Sequence, residues 1–437
     1  MRAFHMAWIA FFLCFFAWFG AAPLMSVVRE ELHLTKDQVG WCLIGSVAIT
    51  VLARLLVGWL CDRIGPRLAY SGVLLVGSLP VMGIALADDY ASFLVCRILI
   101  GVIGASFVVT QYHTSVMFAP HCVGTANATA AGWGNLGGGV TQMVMPLIFA
   151  FFVGVLGCSS SAGWRWSMVL AGCVCALAGV AYYFLTQDCP EGNYSQLRAE
   201  RKMPARKASA GTFLEACRDR RVWALCGAYA VCFGLELTID NVAALYFLDY
   251  FPELQQGDKV SAIRTAGLLA GLFGGMNLFA RALGGWIADR IGARWGLGGR
   301  VKWLFCTLFL EGLLLLCFSS ARTLAAAVPL MMLFGLFVKM SNGATYSVVP
   351  FINRRALGSV SGIVGAGGNV GAVAAGFLFK SEAIAWPTSL FILGLVVTAV
   401  SFLSFAVKFE AEEEQVWQPN PAAPLPSREM DLAPATT

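Results

Sequence analysis

The sequence predicts an all-α membrane protein with twelve transmembrane helices, arranged as two six-helix halves related by pseudo-symmetry. Three observations support this fold class. Of the 437 residues, 58% are hydrophobic and only 13% are charged, whereas a soluble domain keeps about a quarter of its residues charged. Apolar stretches of about twenty residues, the length that crosses a bilayer as a helix, recur along the chain. Motifs of the first half also return in the second. A soluble, peripheral or single-pass protein is therefore excluded.

Each predicted span is an apolar stretch between polar connections. The first begins at Phe4 and extends well beyond the apolar core of a signal peptide, so we interpret it as a retained span. The twelve spans are residues 4–28, 39–61, 68–87, 91–117, 123–153, 164–186, 221–247, 263–288, 300–319, 322–349, 357–379 and 386–408. They divide the chain into an N-terminal half (1–187), a linker (188–220), a C-terminal half (221–408) and an acidic, proline-rich tail (409–437) that is predicted to be disordered.

Basic residues are concentrated in alternate connections. Arginines and lysines follow spans two, six, eight and ten, while the intervening connections are neutral or mildly acidic. This positive-inside pattern predicts a multi-pass protein of the cell membrane, inner or plasma, with both termini in the cytoplasm. The net charge of +5 therefore reflects membrane topology and not nucleic-acid binding. The fourteen cysteines lie mostly in apolar stretches without Cys-x-x-Cys spacing, so neither a metal site nor a disulfide framework is predicted.

An internal repeat marks equivalent places in the two halves. The sequence around Arg54 at the end of span two returns around Arg281 at the end of span eight. The Gly-Asn-x-Gly segment at Asn135 in span five likewise returns at Asn369 in span eleven. These repeated motifs indicate that a unit of six helices has been duplicated. Proteins built from parallel repeats of this kind bind a substrate between the halves, near the middle of the bilayer, and rock one half against the other.

A glycine- and charge-rich loop follows both span two and span eight. It resembles the signature loop of the major facilitator superfamily, which implies that superfamily's fold and a gating role for the loop. Glycines allow close helix packing, and an Asp at a helix end can interact with the positive N-terminus of a facing helix. The alternative is a tight turn flanked by charges that set topology. The residues of the two loops are Gly58, Asp62, Arg63 and Arg67, and Gly285, Asp289, Arg290 and Arg294.

Arg54 and Arg281 are the strongest candidates for substrate binding. Each lies about 12 Å inside the membrane edge, given the rise of about 1.5 Å per helical residue. Two arginines at matched depth are unfavourable unless an anion lies between them, and a guanidinium suits a planar oxyanion. The alternative is that each pairs with a carboxylate or with backbone carbonyls, although spans two and eight contain no acidic residue above the loop.

Glu236 and Asp240 lie on one face of span seven, four residues apart. A carboxyl group inside a membrane is either protonated or paired, so these two residues are candidates for proton coupling. The alternative is a structural pairing with Arg97, Lys339 or Asn241. The roles of Arg97, Lys339 and His113 stay open at this point.

The glycine-rich segments 131–139 and 365–371 resemble the paired nitrate signatures of the nitrate/nitrite porter family, and residues 232–241 resemble its branch of eukaryotic high-affinity nitrate transporters. The resemblance implies that the arginines and signature asparagines bind substrate and that an aromatic ring packs on the anion. Bacterial members use a span-seven tyrosine, for which this chain has Leu235, so a direct hydroxyl contact from span seven is not expected. The implied substrate residues are Arg54, Arg281, Asn135, Asn369, Phe107, Gly134, Gly137, Gly368 and Gly371. Helix packing is the alternative for the glycines.

The leading hypothesis is proton-coupled import of nitrate, with nitrite as a further substrate, by a monomer that needs no cofactor. Nitrate/nitrite antiport and transport of another small organic anion are the alternatives among transporters. A membrane nutrient sensor is the alternative outside that class. An enzyme is not expected, because the sequence contains no acid/base pair, nucleophile arrangement or phosphate-binding loop.

Overall fold

The computed structural model describes residues 1–118, 123–200, 210–256, 258–353 and 357–410, and the regular elements in these ranges are helices. Within these ranges, eleven runs are long and apolar enough to cross a membrane. One of them, Lys259–Ser319, has 61 residues and is interrupted by non-helical backbone at Trp295 and Gly296. It therefore contains two spans, which confirms the predicted total of twelve.

The predicted spans agree with the observed helices to within a few residues. In the N-terminal half, spans 1 to 6 are Arg2–Glu31, Lys36–Ile64, Pro66–Leu86, Tyr90–Met117, Val123–Ala150 and Ser160–Leu185. In the C-terminal half, span 7 is Arg220–Tyr250, span 8 begins at Lys259, span 9 ends at Ser319, and spans 10 to 12 are Leu324–Phe351, Leu357–Lys380 and Trp386–Ala406. Two short helices, Tyr194–Ala199 and Ala210–Arg218, lie in the linker. The predicted tail beyond residue 410 lies outside the described ranges.

Short 3₁₀ turns interrupt several spans close to the candidate site residues. One such turn, Val102–Ala105, lies in span 4 just before Phe107. Another, Met276–Leu278, lies in span 8 just before Arg281. A turn of this kind changes the helix direction and the hydrogen-bond pattern, so it affects the orientation of the side chain that follows it.

Glycines bring matching pairs of helices together in the two halves. In span 5, a Cβ at Gly134 would overlap the ring of Phe11, and one at Gly137 would overlap the carbonyl oxygen of Phe12. In span 11, Gly368 and Gly371 meet span 7 in the same way, at Phe233 and Ala230. Only glycine permits such an approach between helix backbones. The signature glycines therefore hold spans 1 and 5, and spans 7 and 11, at close range.

The two signature loops lie at one end of the bundle, which we call the loop end. Arg63 stacks over Trp59 at 4.7 Å, and Arg290 stacks over Trp286 at 4.0 Å, so the repeat extends to these cation–π contacts. Asp289 pairs with Arg300 of the same half at 2.5 Å. The side chain of Asp62 lies outside the described part. A latch function for these loops stays a prediction.

The loop after span 2 is also attached to the start of the linker. Gly65 adopts a left-handed conformation, with φ of 91°, which glycine adopts without steric strain. The backbone N–H of Arg67 donates to Asp188 at 2.8 Å, and the Arg67 guanidinium stacks over Tyr183. In the loop after span 8, Arg294 is exposed.

At the opposite end, which we call the far end, polar contacts join the two halves. Arg29 donates to both carboxylate oxygens of Asp249, at 2.6 and 2.7 Å. Other contacts between the halves at this end include Glu30 with Lys259, Asp37 with Lys380 at 2.7 Å, and Lys36 with the Ser381 carbonyl at 2.6 Å. The bundle is therefore closed at the far end.

Candidate functional site

A small cavity lies between the halves, and both predicted arginines line it. Arg54, Phe107 and Asn135 come from the N-terminal half, and Tyr229, Phe233, Arg281, Tyr346 and Gly365 come from the C-terminal half. The cavity volume is about 10 Å³, close to the space that one water needs. The two halves therefore lie close together around the two arginines, with little space between them.

Arg54 has no acidic partner among the described residues. Its guanidinium lies 5.5 Å from the centre of the Phe107 ring. Its one hydrogen bond within those residues goes to the Gly365 carbonyl across the cavity, and this bond is long, at 3.4 Å. The Nε atom is buried without a hydrogen-bond partner. Because a buried cation needs a counter-charge, the surroundings of Arg54 favour an anion.

Arg281, in contrast, is paired with a carboxylate. Its guanidinium donates to Glu236 at 2.8 Å and lies over the Phe233 ring at 5.7 Å. Sequence reasoning looked for acidic partners only within spans 2 and 8, whereas the partner comes from span 7. The alternative considered from the sequence, pairing with a carboxylate or with backbone carbonyls, is therefore present at Arg281 as a carboxylate pair and at Arg54 only as the long contact with the Gly365 carbonyl.

Glu236 is the centre of a buried polar network. Besides Arg281, it receives the Lys339 ammonium at 2.8 Å, the Asn277 amide at 2.9 Å and the Asn342 amide at 2.5 Å. Lys339 is fully buried and lies 4.2 Å from the centre of the Phe273 ring. Three hydrogen-bond donors, from Arg281, Asn277 and Asn342, and the paired Lys339 ammonium stabilise the ionised carboxylate. Of the pairings considered from the sequence, the one with Lys339 is present.

Arg97, which was also considered as a partner for Glu236, binds elsewhere. It donates to the Trp18 carbonyl at 3.0 Å and to the Asn241 side chain at 3.2 Å. It is fully buried and links span 4 of one half to span 7 of the other. His113 lies near the linker, where its ring nitrogens contact the Tyr182 hydroxyl and the Gln187 carbonyl.

Two further buried carboxyl groups lie near this network. Asp240 follows Glu236 by one turn, and its Oδ1 has no hydrogen-bond partner within the described residues. Glu311 in span 9 is fully buried, and neither of its oxygens makes a hydrogen bond of good geometry in the described part of the chain. Sequence reasoning missed Glu311, although a single glutamate inside the apolar span 9 was a visible signal.

The signature asparagines occupy different surroundings. Asn135 lines the cavity, with its amide donating to the Ala131 carbonyl at 2.8 Å. Asn369 is fully buried outside the cavity lining, and neither amide atom has a hydrogen-bond partner within the described ranges. Gly134, Gly137, Gly368 and Gly371 contact neighbouring helices and are not part of the cavity lining.

Two tyrosines at the cavity were not among the predicted site residues. Tyr229 of span 7 stacks on Phe233, with ring centres 5.0 Å apart, and meets Tyr346 of span 10 edge to face at 5.1 Å. Leu235 is buried and does not line the cavity. Span 7 therefore brings a hydroxyl to the cavity wall from Tyr229, about two turns before the position considered from the sequence.

Comparisons with known proteins agree with this architecture. Residues 7–299 match the Major Facilitator Superfamily model. The crystal structure of a bacterial homologue of the human lysosomal transporter Spinster, in an inward-facing and occupied conformation, has a TM-score of 0.69 at 15% identity and covers 92% of this chain and 95% of its own. The nucleoside transporter NupG has a TM-score of 0.67 at 15% identity, covering 92% of this chain and 99% of its own. At these identities the likeness shows the fold alone.

Sequence relatives are more specific. The chain is 38% identical to a high affinity nitrate transporter 2.5 of Arabidopsis thaliana, over 92% of this chain and 78% of the relative. It is 36% identical to nitrate transporter 2.2 of Chlamydomonas reinhardtii, over 89% and 75%. It is 30% identical to the nitrate/nitrite transporter NrtP of a Picosynechococcus strain, over 85% and 83%. The chain therefore belongs to the Major Facilitator Superfamily and, within it, to the family that contains these high-affinity nitrate transporters.

Proposed function

We propose that this protein is a secondary active transporter that imports nitrate, with nitrite as a further substrate, by proton-coupled alternating access. One observation carries the proposal: two arginines, one from each half, line a single cavity at the interface of the halves. A ligand bound there touches both halves, so its binding affects how one half moves against the other.

The chemistry of the cavity suits a small planar anion. The guanidinium groups of Arg54 and Arg281 offer paired donors to an oxyanion, and the Asn135 amide adds a neutral donor. The rings of Phe107 and Phe233 lie against the two guanidinium groups and confine the space. Nitrate and nitrite are both small planar oxyanions, which these donors and rings suit. The relatives named as nitrate and nitrate/nitrite transporters support the same substrates.

The pairing of Arg281 with Glu236 supplies a means of coupling. An anion that binds Arg281 competes with the Glu236 carboxylate, and a carboxylate that loses a cationic partner binds a proton more readily. Asp240, whose Oδ1 has no partner in the described part of the chain, is the second candidate carrier. Import of an anion against a negative-inside potential needs more than one proton per anion, so two carriers fit the energetics.

The same pairing favours net import over obligatory nitrate/nitrite exchange. A transporter that imports must return to the outside without its anion, with two cations in the middle of the membrane. Glu236 neutralises Arg281 during that return and lowers its free-energy barrier. Under the positive-inside assignment the loop end faces the cytoplasm, so the far end, closed by Arg29 and Asp249, faces outward.

Uptake of labelled nitrate by reconstituted vesicles tests this function. An inward proton gradient is expected to accelerate uptake without internal nitrite, whereas an antiporter requires internal nitrite. A sensor gives no uptake in either condition. The Glu236→Gln and Asp240→Asn variants are then compared over a range of pH. Coupling through these residues predicts a weaker pH dependence in at least one variant, and an unchanged dependence in both contradicts it.

A further inference from the structure

Glu311 occupies an unusual place for an acidic residue. It lies in span 9, between Phe309 and Leu313, and is fully buried in the C-terminal half. Neither carboxyl oxygen has a hydrogen-bond partner of good geometry among the described residues. A carboxylate in such a setting is strongly unfavourable inside a membrane unless it binds a proton or gains a cation.

The neighbours of Glu311 connect it to the network around Glu236. On span 10, the Ser341 hydroxyl lies beside it and the charge of Lys339 acts on it. On span 7, Glu236 and Cys232 are its titratable neighbours. Span 12 also packs on span 9 but contains no titratable residue. Among the described residues, Lys339 is therefore the cation whose charge acts on Glu311, and its ammonium is already paired with the Glu236 carboxylate at 2.8 Å.

The charges of this region link anion binding to proton binding. Arg281 and Lys339 are two cations of one charge-coupled set, and Glu236, Asp240 and Glu311 are its three carboxyl groups. If all five are ionised, the set carries one excess negative charge, and an entering anion adds another. A proton on Glu311 or Asp240 lowers that excess. Each bound ligand then favours the other to the same extent, because coupling between binding sites is reciprocal.

We propose that Glu311 is a proton-binding site that couples proton movement to the anion through Lys339 and Glu236. When the anion draws Arg281 away from Glu236, the Lys339 ammonium is held more firmly by Glu236 and stabilises ionised Glu311 less. Glu236 then stays ionised, and Glu311 takes up the proton in its place, on one of its carboxylate oxygens. The same oxygen releases that proton when the anion has left and Lys339 is shared again. This proposal rests on the proposed proton-coupled transport of nitrate.

Two assays on one preparation separate the possibilities. Nitrate counterflow, in which internal unlabelled nitrate exchanges for external labelled nitrate, needs the binding site and alternating access but no net proton transfer. Uptake driven by an imposed pH gradient needs the binding site, alternating access and net proton transfer. The variants are Glu311→Gln, which removes the charge, and Glu311→Asp, which keeps a carboxyl group. Glu253→Gln, at the far-end connection of the same half, is the matched control.

Glu311→Gln is expected to keep counterflow within about twofold of the parent protein and to lose gradient-driven uptake by about tenfold or more. Glu311→Asp retains both activities, with a displaced pH midpoint of uptake, and Glu253→Gln behaves as the parent protein. Wild-type pH dependence in Glu311→Gln overturns the assignment. If Glu311→Gln also loses counterflow, the midpoint of Glu311→Asp decides, since a displaced midpoint supports the role and an unchanged one overturns it.

Failure of the underlying function gives a different pattern. A parent protein without nitrate counterflow overturns nitrate transport itself. A parent protein with counterflow but without a response to the pH gradient overturns proton coupling, and with it the role of Glu311. If the parent protein is active in both assays, nitrate transport and proton coupling both hold, and the Glu311 variants then test only the role of Glu311.

Discussion

The two halves hold the same cation in opposite electrostatic surroundings. Arg54 has no acidic partner among the described residues and meets only a ring and a distant carbonyl. Arg281 is neutralised by Glu236, which Lys339 also contacts. The sequence has the same asymmetry, since the six predicted spans of the N-terminal half contain no Asp or Glu, whereas those of the C-terminal half contain three. In the proposed mechanism, the N-terminal half therefore supplies a fixed binding charge and the C-terminal half supplies the coupling.

The largest expected effect is on Arg54. Arg54→Gln removes the cation that has no internal counter-charge, so nitrate uptake is expected to fall about 100-fold. Arg281→Gln is expected to cost less nitrate affinity, because Glu236 already offsets part of that charge. Initial rates of vesicle uptake over a range of nitrate concentrations measure both. Arg264→Gln, at an exposed arginine of span 8, is the control, and equal losses of affinity in the two site variants contradict the asymmetry.

Glu236→Gln is expected to have a smaller effect on uptake than Arg54→Gln, and to change nitrate affinity and turnover in opposite directions. Without the competing carboxylate, Arg281 is free to bind the anion, so the equilibrium affinity for nitrate is expected to rise. Turnover is expected to fall about tenfold, because the unneutralised cations resist the return of the anion-free protein. Isothermal titration in detergent measures the affinity, and vesicle uptake measures the turnover. A parallel loss of affinity and turnover indicates that Glu236 only maintains the shape of the site.

The fold and the charged centre of the site were accessible from the sequence, because both depend on long-range regularities. Hydropathy located the spans, and the repeat singled out Arg54 and Arg281 without any information about their surroundings. The pairing of Arg281 with Glu236 was not accessible in this way, because it joins span 8 to span 7 and depends on which face of each helix turns inward. Tyr229 was missed for the same reason, since a tyrosine in an apolar helix has no pattern that places it at a cavity.

The signature glycines show where the sequence pattern was informative but its meaning was ambiguous. A Gly-Asn-x-Gly segment is compatible both with substrate contact and with helix packing, because glycine brings backbone close to whatever lies opposite. In the structure, Gly137 and Gly371 lie opposite the backbone of spans 1 and 7. Only the position of the neighbouring helix distinguishes the two meanings.

The two halves differ in charge, and substitutions at the signature glycines measure whether they also differ in helix packing. Gly137→Ala and Gly371→Ala each place a methyl group against a backbone carbonyl, so both are expected to lower the thermal unfolding temperature by similar amounts. Gly362→Ala, where a Cβ meets nothing within 4 Å, is the matched control. Thermal denaturation of the purified protein, followed by fluorescence, measures all three. A large effect in only one half shows that packing is asymmetric as well.

The smallest expected effect concerns the contact that joins the halves at the far end. Arg29 and Asp249 are each about one-third exposed or less, and a pair of this kind contributes up to about 1 kcal/mol. Asp249→Asn and Arg29→Gln are therefore each expected to change the rate of nitrate counterflow by about two- to fivefold, by favouring opening of this end. Because both variants break the same bidentate contact, the double variant should resemble either single one. Additive effects in this cycle show that the residues act separately, and then the far end closes through its other contacts.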